Sequence, residues 1–204
     1  MAHLAVGNRL PRLLGGELCL DFLNTVDPRH AEDRIDYLTD YHALARWAGH
    51  ANAIPPVTVD TLLRSATEQP ERAAEVLRAA GELREQLYRG IRALLDAKAM
   101  PAPSLEVLND AVATAHNARQ LVLAAKSSLA WCWRDLERLD LPLLAVALSA
   151  ADLLTRGDLA RVRECPGIDG CGWLFLDTSK SGSRRWCSMQ VCGNRAKVRR
   201  HRMP

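Results

Sequence analysis

Four of the six cysteines fall in two pairs near the C-terminal end of the chain, with the pattern C-x5-C-x15-C-x4-C. They are Cys165, Cys171, Cys187 and Cys192. Pro and Gly are frequent in residues 166–170, so the chain can reverse there and present both sulfurs of the first pair to one point. The second pair has a helical type of spacing. Four thiolates around one Zn²⁺ make a closed structural site, so this pattern predicts one zinc ion per chain.

Two other interpretations of the four cysteines are open at this stage. A pair of disulfides is typical of a small secreted domain, but residues 1–10 lack the apolar core of a signal peptide. Four buried free thiols are the other interpretation, although free thiols seldom cluster among Gly, Ser and Arg. Cys19 and Cys132 each lie alone in an apolar run, and we predict that both are small buried hydrophobic side chains.

Basic residues are concentrated in the same part of the chain as the cysteine pairs. Residues 161–204 hold ten Lys and Arg against three Asp and Glu, whereas residues 1–160 hold 17 against 21. A basic segment on an acidic body is a common footprint of nucleic-acid binding. The longest nearly apolar stretch, 141–154, is too short to span a bilayer, so we expect a cytoplasmic protein without membrane contact.

The segment upstream of the cysteines shows mainly helical periodicity. Its strongest helical pattern extends over residues 71–98, where apolar side chains recur on one face. Two short β-prone runs follow, 119–124 and 129–134, and they predict a β-hairpin. In that hairpin Trp131 and Trp133 share one face, and we expect them to pack on a helix; lining a ligand site or stacking on bases are the alternatives.

These patterns predict an α+β protein. We expect a mainly helical N-terminal domain with a β-hairpin over residues 1–158, and a small C-terminal zinc-binding module over residues 159–204. Near the start of the first domain, we expect Asp21 and Asn24 to be hydrogen-bonded anchors of a loop or helix end, because buried polar side chains need partners. In the module, Trp173 and Phe175 share one face of a strand and are the candidate core.

The residues around the cysteines carry a second pattern. An apolar strand ends in Asp177, the run Arg-Arg-Trp-Cys occupies 184–187, and Cys-Gly-Asn-Arg occupies 192–195. This segment, from about residue 163 to 201, resembles the CGNR zinc finger, which is named for that tetrapeptide. The first cysteine pair here is one residue wider than is common in that family.

A domain called ABATE usually precedes the CGNR zinc finger, and residues 16–25 are similar to its opening motif. The resemblance therefore covers nearly the whole chain. It implies the cysteine ligand set and an architecture of two parts. The family is described as stress-induced transcription regulators, which implies DNA as the partner.

Eight basic residues are candidate nucleic-acid contacts. If the segment after Cys192 is helical, Arg195, Arg199 and Arg202 lie on one face and form a basic stripe suited to phosphates. Arg195 could instead donate a hydrogen bond to a cysteine sulfur, and the segment could be a solvated tail. The full candidate set is Lys180, Arg184, Arg185, Arg195, Lys197, Arg199, Arg200 and Arg202.

The sequence is best interpreted as a zinc-stapled nucleic-acid-binding protein, and the family resemblance implies that it is a DNA-binding transcription regulator, although RNA would satisfy the same charges. Its N-terminal domain would sense a small-molecule effector or mediate self-association, for example as a homodimer. The alternative is a zinc-stabilised protein-interaction module that does not bind nucleic acid. We expect no enzyme activity, because the histidines are scattered, no phosphate loop or nucleophile motif is recognisable, and a closed thiolate site leaves zinc no open position.

Overall fold

A computed structural model describes residues 9–124, 128–167 and 170–202 of the chain, without the side chains of Asp158 and Arg202. Within these residues the helices are α1 (Leu18–Leu23), α2 (Tyr41–His50), α3 (Pro56–Glu68), α4 (Pro70–Leu95), α5 (Ala102–Asn117), α6 (Leu141–Thr155) and α7 (Asn194–Arg202). The strands are β1 (Val26–Asp27), β2 (Ile35–Asp36), β3 (Arg119–Leu123), β4 (Leu129–Trp133), β5 (Val162–Glu164) and β6 (Leu174–Leu176). They form the antiparallel pairs β1–β2, β3–β4 and β5–β6. The predicted α+β class is confirmed.

The short helix α1 lies at the centre of the N-terminal domain. It packs against α4, α6 and β6, and its Leu20, Phe22 and Leu23 are fully buried. The ring of Phe22 lies 5.3 Å from that of Trp47 in α2, in a tilted arrangement favourable for aromatic pairs. Cys19 is also fully buried, as predicted. No helix in the described part of the chain combines the length and hydrophobicity needed to cross a lipid bilayer.

The long helix α4 has the apolar stripe that its periodicity predicts, with Val76, Leu83 and Ile91 buried. It ends at Leu95, three residues earlier than the predicted end at residue 98. The reason is a reversal at Ala97, which has φ of 56° in the left-handed region. Helices commonly stop at such a residue, because the reversal lets the next amide groups bond to the last helical carbonyls.

Strands β3 and β4 form the predicted hairpin, in which Leu121 lies opposite Trp131 and Leu123 opposite Leu129. The hairpin projects from the body and is attached at its base, where the backbone amide of Arg134 donates to the carbonyl of Ala118 at 2.9 Å.

Two expectations for this hairpin are wrong. Cys132 is exposed and not a buried hydrophobic side chain. Trp131 is 57% exposed, and it does not pack on a helix. The guanidinium of Arg119 lies over its ring at 4.2 Å. Trp133, at the base of the hairpin, is half-buried against the core, as expected. The apolar run around Cys132 indicated burial, but most of both hairpin faces lies in solvent, so the run remains exposed.

The β5–β6 pair connects the C-terminal module to the N-terminal domain. Leu174 belongs to the main core and Leu176 packs against it, whereas Trp173 and Phe175 face a second core around the cysteines. This alternation follows from the period of two along a strand. The prediction that Trp173 and Phe175 are core residues is confirmed.

The predicted anchors Asn24 and Asp21 also join the two parts. The side-chain amide of Asn24 bonds the backbone of Leu174 in both directions, donating at 2.8 Å and accepting at 3.0 Å. Asp21 accepts from the amide of Gly15 at 2.7 Å, and the Gly15 carbonyl accepts from the amide of Leu176 at 2.7 Å. One end of α1 is thereby hydrogen-bonded to the strand that follows the first cysteine pair.

Candidate metal centre and basic helix

The first two cysteines flank a tight reversal of the chain between β5 and β6. The amide of Cys165 donates to the carbonyl of Trp173 at 2.8 Å, and the amide of Gly172 donates to the carbonyl of Cys165 at 3.2 Å. Gly172 has φ of 61°, which is left-handed and costly for other residues. A Cβ on Gly167 would lie 2.3 Å from the Cβ of Cys171. Glycines at these two positions therefore allow the two sulfurs to meet.

The second pair is positioned by a capped turn. Ser188, between the two cysteines, accepts a hydrogen bond from the amide of Val191 with its side chain at 3.3 Å. A single π-helical turn, Met189–Gly193, contains Cys192 and leads directly into α7. This local geometry places Cys187 before the turn and Cys192 inside it, with both sulfurs directed toward the first pair.

The four sulfurs fit a tetrahedral zinc site. They all lie within 4.8 Å of one another, and the Cys171–Cys187 and Cys187–Cys192 Sγ distances are 3.7 and 3.6 Å. Zinc–sulfur bonds of about 2.3 Å in a regular tetrahedron require sulfurs about 3.8 Å apart. A disulfide requires about 2.05 Å, so neither measured pair is bonded. The four cysteines are thus positioned to bind one zinc ion, as predicted.

The thiols are close enough to affect one another's protonation. Hydrogen bonds from Cys171 and Cys187 hold the pKa of Cys165 far below its usual range. The bonds that these two thiols make to Cys165 raise the pKa of each of them, and burial raises the pKa of Cys192. Cys165 is therefore the most acidic of the four thiols. Because zinc binds thiolates, its binding releases the protons of the thiols that carry them.

Arg184 has a different position from the one predicted. We expected an exposed phosphate contact, but the side chain is half-buried and its guanidinium lies 4.4 Å from the ring centre of Phe175. It donates to the carbonyls of Trp186, at 3.0 Å, and of Cys187. The guanidinium therefore fixes the backbone that carries the third cysteine, and the expected exposure is wrong.

A loop of the N-terminal domain supports the first cysteine pair, which the sequence did not reveal. The amide of Arg29 donates to the carbonyl of Cys171, and that of His30 donates to the carbonyl of Gly170, both at 2.9 Å. A Cβ on Gly172 would lie 2.5 Å from Nε2 of His30, so the loop packs directly on the turn. The loop lies between β1 and β2 and has a polar sequence, and no spacing signal in it indicates contact with residues about 140 positions later.

A polar network extends this support to α4. Tyr88 donates from its hydroxyl to the carbonyl of Gly172 at 2.9 Å. Glu164, the residue before the first cysteine, bonds Nε2 of His30 at 2.6 Å and forms an ion pair with Arg92. The turn that holds the first cysteine pair is thus tied to α4 through side chains that sequence patterns gave no reason to associate.

The other predicted basic residues are placed on the surface. The predicted stripe of Arg195, Arg199 and Arg202 requires a helix after Cys192, and α7 is that helix. The side chain of Arg202 lies outside the described part of the chain. The candidates with exposed side chains are Lys180, Arg185, Arg195, Lys197, Arg199 and Arg200. Arg195 lies near Asp27, and its charge lowers the pKa of that carboxyl against the larger, opposing effect of burial. The structure therefore presents a basic helix directly after the last cysteine.

A cleft of about 330 Å³ lies beside the cysteine cluster, between the module and the N-terminal segment. Its polar lining includes Asp27, Tyr37 and Arg195, and its apolar lining includes Leu10 and Trp173. Burial raises the pKa of Tyr37 as well as that of Asp27. An apolar cleft with a few converging polar groups, located where two structural units meet, has the properties of a small-molecule site.

Two family models match the chain. The model of the ABATE domain, described as "Putative stress-induced transcription regulator", matches residues 16–157, and that of the CGNR zinc finger matches residues 161–203. Their order along the chain is the predicted one, so the resemblance is confirmed. No curated protein matches the chain.

Proposed function

The chain belongs to the ABATE family of stress-induced transcription regulators and carries a CGNR zinc finger, and from this premise we propose that it is a zinc-stapled, DNA-binding transcription regulator. In this proposal the zinc ion is structural, and the basic surface around α7 binds nucleic acid. The N-terminal domain senses a small molecule or mediates self-association in the cytoplasm. No catalytic step is part of the proposed function.

The observation that carries the proposal is the composition and placement of α7. Between residues 194 and 202 the chain has five Lys and Arg and no acidic residue. The described side chains Lys197, Arg199 and Arg200 are exposed, and the last zinc ligand, Cys192, lies in the turn that begins the helix. Cationic side chains on a fixed scaffold favour phosphate binding, because each contact releases counterions condensed on the nucleic acid.

Fluorescence anisotropy with random duplex DNA and duplex RNA, at about 50 and 200 mM salt, tests the proposal. The comparison is between the zinc-loaded protein and a variant with Lys197, Arg199 and Arg200 changed to Gln. We expect tight, salt-dependent binding by the native protein. The variant should lose about three units of the slope of log K against log salt, since each phosphate contact contributes about 0.9.

A matched control removes the same charge elsewhere. Arg64, Arg78 and Lys98 are exposed on the N-terminal domain, and changing all three to Gln gives the same net charge as the α7 variant. We expect this control to keep the native salt slope. Equal losses in both variants would show that net charge, and not α7, governs binding. A native protein that binds neither duplex at about 50 mM salt would contradict the proposal and favour a protein-interaction module.

The effector belongs in the cleft beside the cysteine cluster. The cleft is lined by both structural units, and Arg195 of α7 is one of its walls. A small molecule that contacts Arg195 there competes with phosphate for the same side chain. Occupancy of the cleft would in this way weaken nucleic-acid binding.

A further inference from the structure

One face of the β3–β4 hairpin is apolar and exposed. Leu121, Leu123, Leu129 and Trp131 point to the same side, because Leu121 pairs with Trp131 and Leu123 with Leu129 in the register. Their exposed fractions are 52%, 82%, 61% and 57%. We call these four side chains the apolar face of the hairpin. Large apolar side chains exposed together in this way mark an interaction site.

The opposite face of the same hairpin carries smaller side chains. Its positions alternate with those of the apolar face and are held by Gln120, Val122, Ala130 and Cys132. Gln120 is polar, and the other three side chains are smaller than leucine. The large apolar side chains are thus collected on one face of the hairpin, and α5, α6 and the rest of the described body leave that face in solvent. A two-stranded hairpin is marginally stable by itself, so the outer half of this one lacks the packing that such elements need.

We propose that the apolar face is the dimer interface of this protein, formed when two copies pack their hairpins face to face around a two-fold axis. This rests on the self-association part of the proposed function and names its surface. A two-fold interface uses the same patch on both copies, and a flat face of leucines and one tryptophan is complementary to itself. The four side chains expose on the order of 500 Å² per copy, which is less than the roughly 800 Å² that each partner contributes to a stable interface, so residues next to the face must supply the rest of the contact.

The charges around the apolar face favour a second copy over nucleic acid. Surfaces that stack bases on aromatic rings also track the phosphates with cations. Among the residues that the structure describes, the cation that contacts Trp131 is Arg119, whose guanidinium is already placed over the ring and donates to Nδ1 of His116 at 2.9 Å. The basic candidates for phosphate contact lie instead in the C-terminal module.

Sedimentation velocity of the zinc-loaded full chain, from about 1 to 100 µM and without nucleic acid, tests the interface. The two variants are Leu123→Lys, on the apolar face, and Ala130→Lys, on the opposite face of the same hairpin. We expect the native protein and Ala130→Lys to dimerise with similar Kd. Leu123→Lys should raise the dimer Kd at least about a hundredfold, because a two-fold interface loses the apolar contact twice and gains two buried charges.

Two further measurements keep the result unambiguous. Bound zinc, and the thermal midpoint measured at a concentration at which both proteins are monomeric, should be unchanged in Leu123→Lys, since residue 123 is the most exposed position of the face. Cys132 on the opposite face should react with maleimide as quickly in the native dimer as in the Leu123→Lys monomer. Slow labelling in the native dimer would place the interface on the opposite face.

The proposal is overturned if the native protein remains monomeric at about 100 µM, or if both variants dimerise equally. Quenching of tryptophan fluorescence by nucleic acid that is lost in Trp131→Leu would then assign the face to base stacking. Because sedimentation is measured without nucleic acid, its failure is distinct from the failure of DNA binding. A protein that dimerises but does not bind DNA would retain this interface.

Discussion

At the scale of single residues, Asp21 shows a conflict between folding and ionisation. Its carboxylate accepts from the amide of Gly15 at 2.7 Å, but the side chain is largely buried, and burial raises its pKa from 3.8 to about 6. A raised pKa in the folded state means that the native protein binds the proton more tightly than the unfolded chain. The associated stability is present below pH 3.8 and is lost as the pH rises through about 6.

Asp21→Asn should therefore stabilise the protein at pH 7. The amide oxygen of Asn can still accept from Gly15, and the cost of burying a charge is removed. We expect a gain of about 2 kcal/mol at pH 7 that vanishes below about pH 4, where the carboxyl is protonated in both states. Urea unfolding of both proteins at the two pH values measures it. A difference of the same size at both would contradict the assignment of the effect to ionisation.

Single residues also show where inference from sequence stopped. The four cysteines were identified as ligands because a metal imposes its own spacing on the chain, so the information is local. Arg184 lies in a basic segment and directly follows Ser181-Gly182-Ser183, a sequence typical of an exposed turn, whereas its contact with Phe175 depends on tertiary structure. His30 and Tyr88 gave no signal in the sequence, since their partners around the first cysteine pair, Glu164 and Gly172, lie more than 80 positions away.

At the scale of elements, the end of α4 is a point of backbone strain. Ala97 adopts φ of 56°, and the amide of Lys98 bonds the carbonyl of Ala93 at 2.9 Å across it. This hydrogen-bond pattern terminates many helices, usually with Gly at the left-handed position, because a Cβ there clashes with the backbone. The loop to α5 thus begins with a residue that is poorly suited to its conformation.

Ala97→Gly should raise the free energy of unfolding by about 1 kcal/mol, less a few tenths for the greater freedom of Gly in the unfolded chain. Ala99→Gly, two residues later, is the control. This variant should not raise the free energy of unfolding, because Ala99 does not have a positive φ. Thermal unfolding of both variants and of the native protein measures the difference in stability. A destabilised Ala97→Gly would indicate that the strain at this position is absent.

Elements with one buried face could be predicted well. The stripe of α4 and the alternation of Trp173 with Leu174 both follow from repeats of 3.6 and 2 that are visible in the sequence. The hairpin was located for the same reason, but its exposure was not foreseen. Alternation identifies which side chains share a face, and it does not indicate whether the protein has another element to cover that face.

At the scale of the whole molecule, metal binding and the N-terminal core are coupled. Leu174 lies in the main core three residues after Cys171. Between them, the indole of Trp173 donates to the carbonyl of Val26 at 2.9 Å. The β1–β2 loop also bonds the turn of the first cysteine pair through Arg29. Because the metal fixes a turn on which these contacts depend, its free energy of binding stabilises both parts.

Cys187→Ser should lose zinc and also weaken the N-terminal domain. Cys132→Ser is the matched control, because this cysteine is exposed and remote from the cluster. We expect hydrogen exchange to become faster in α1 and in the part of α4 around Tyr88, as well as in the module. The control should exchange like the native protein. Normal protection of α1 and α4 in zinc-free Cys187→Ser would show that the two parts are independent.

The bonds between Asn24 and Leu174 span 150 positions of sequence. During protein synthesis α1 is made first and β6 is among the last elements. The side-chain amide of Asn24 therefore cannot bond Leu174 until nearly the whole chain has been made. Until then, the apolar side chains of α1 that Leu174 covers remain open to the surrounding water. The core around α1, which is synthesised first, can therefore be completed only after β6, near the C-terminal end, has emerged from the ribosome.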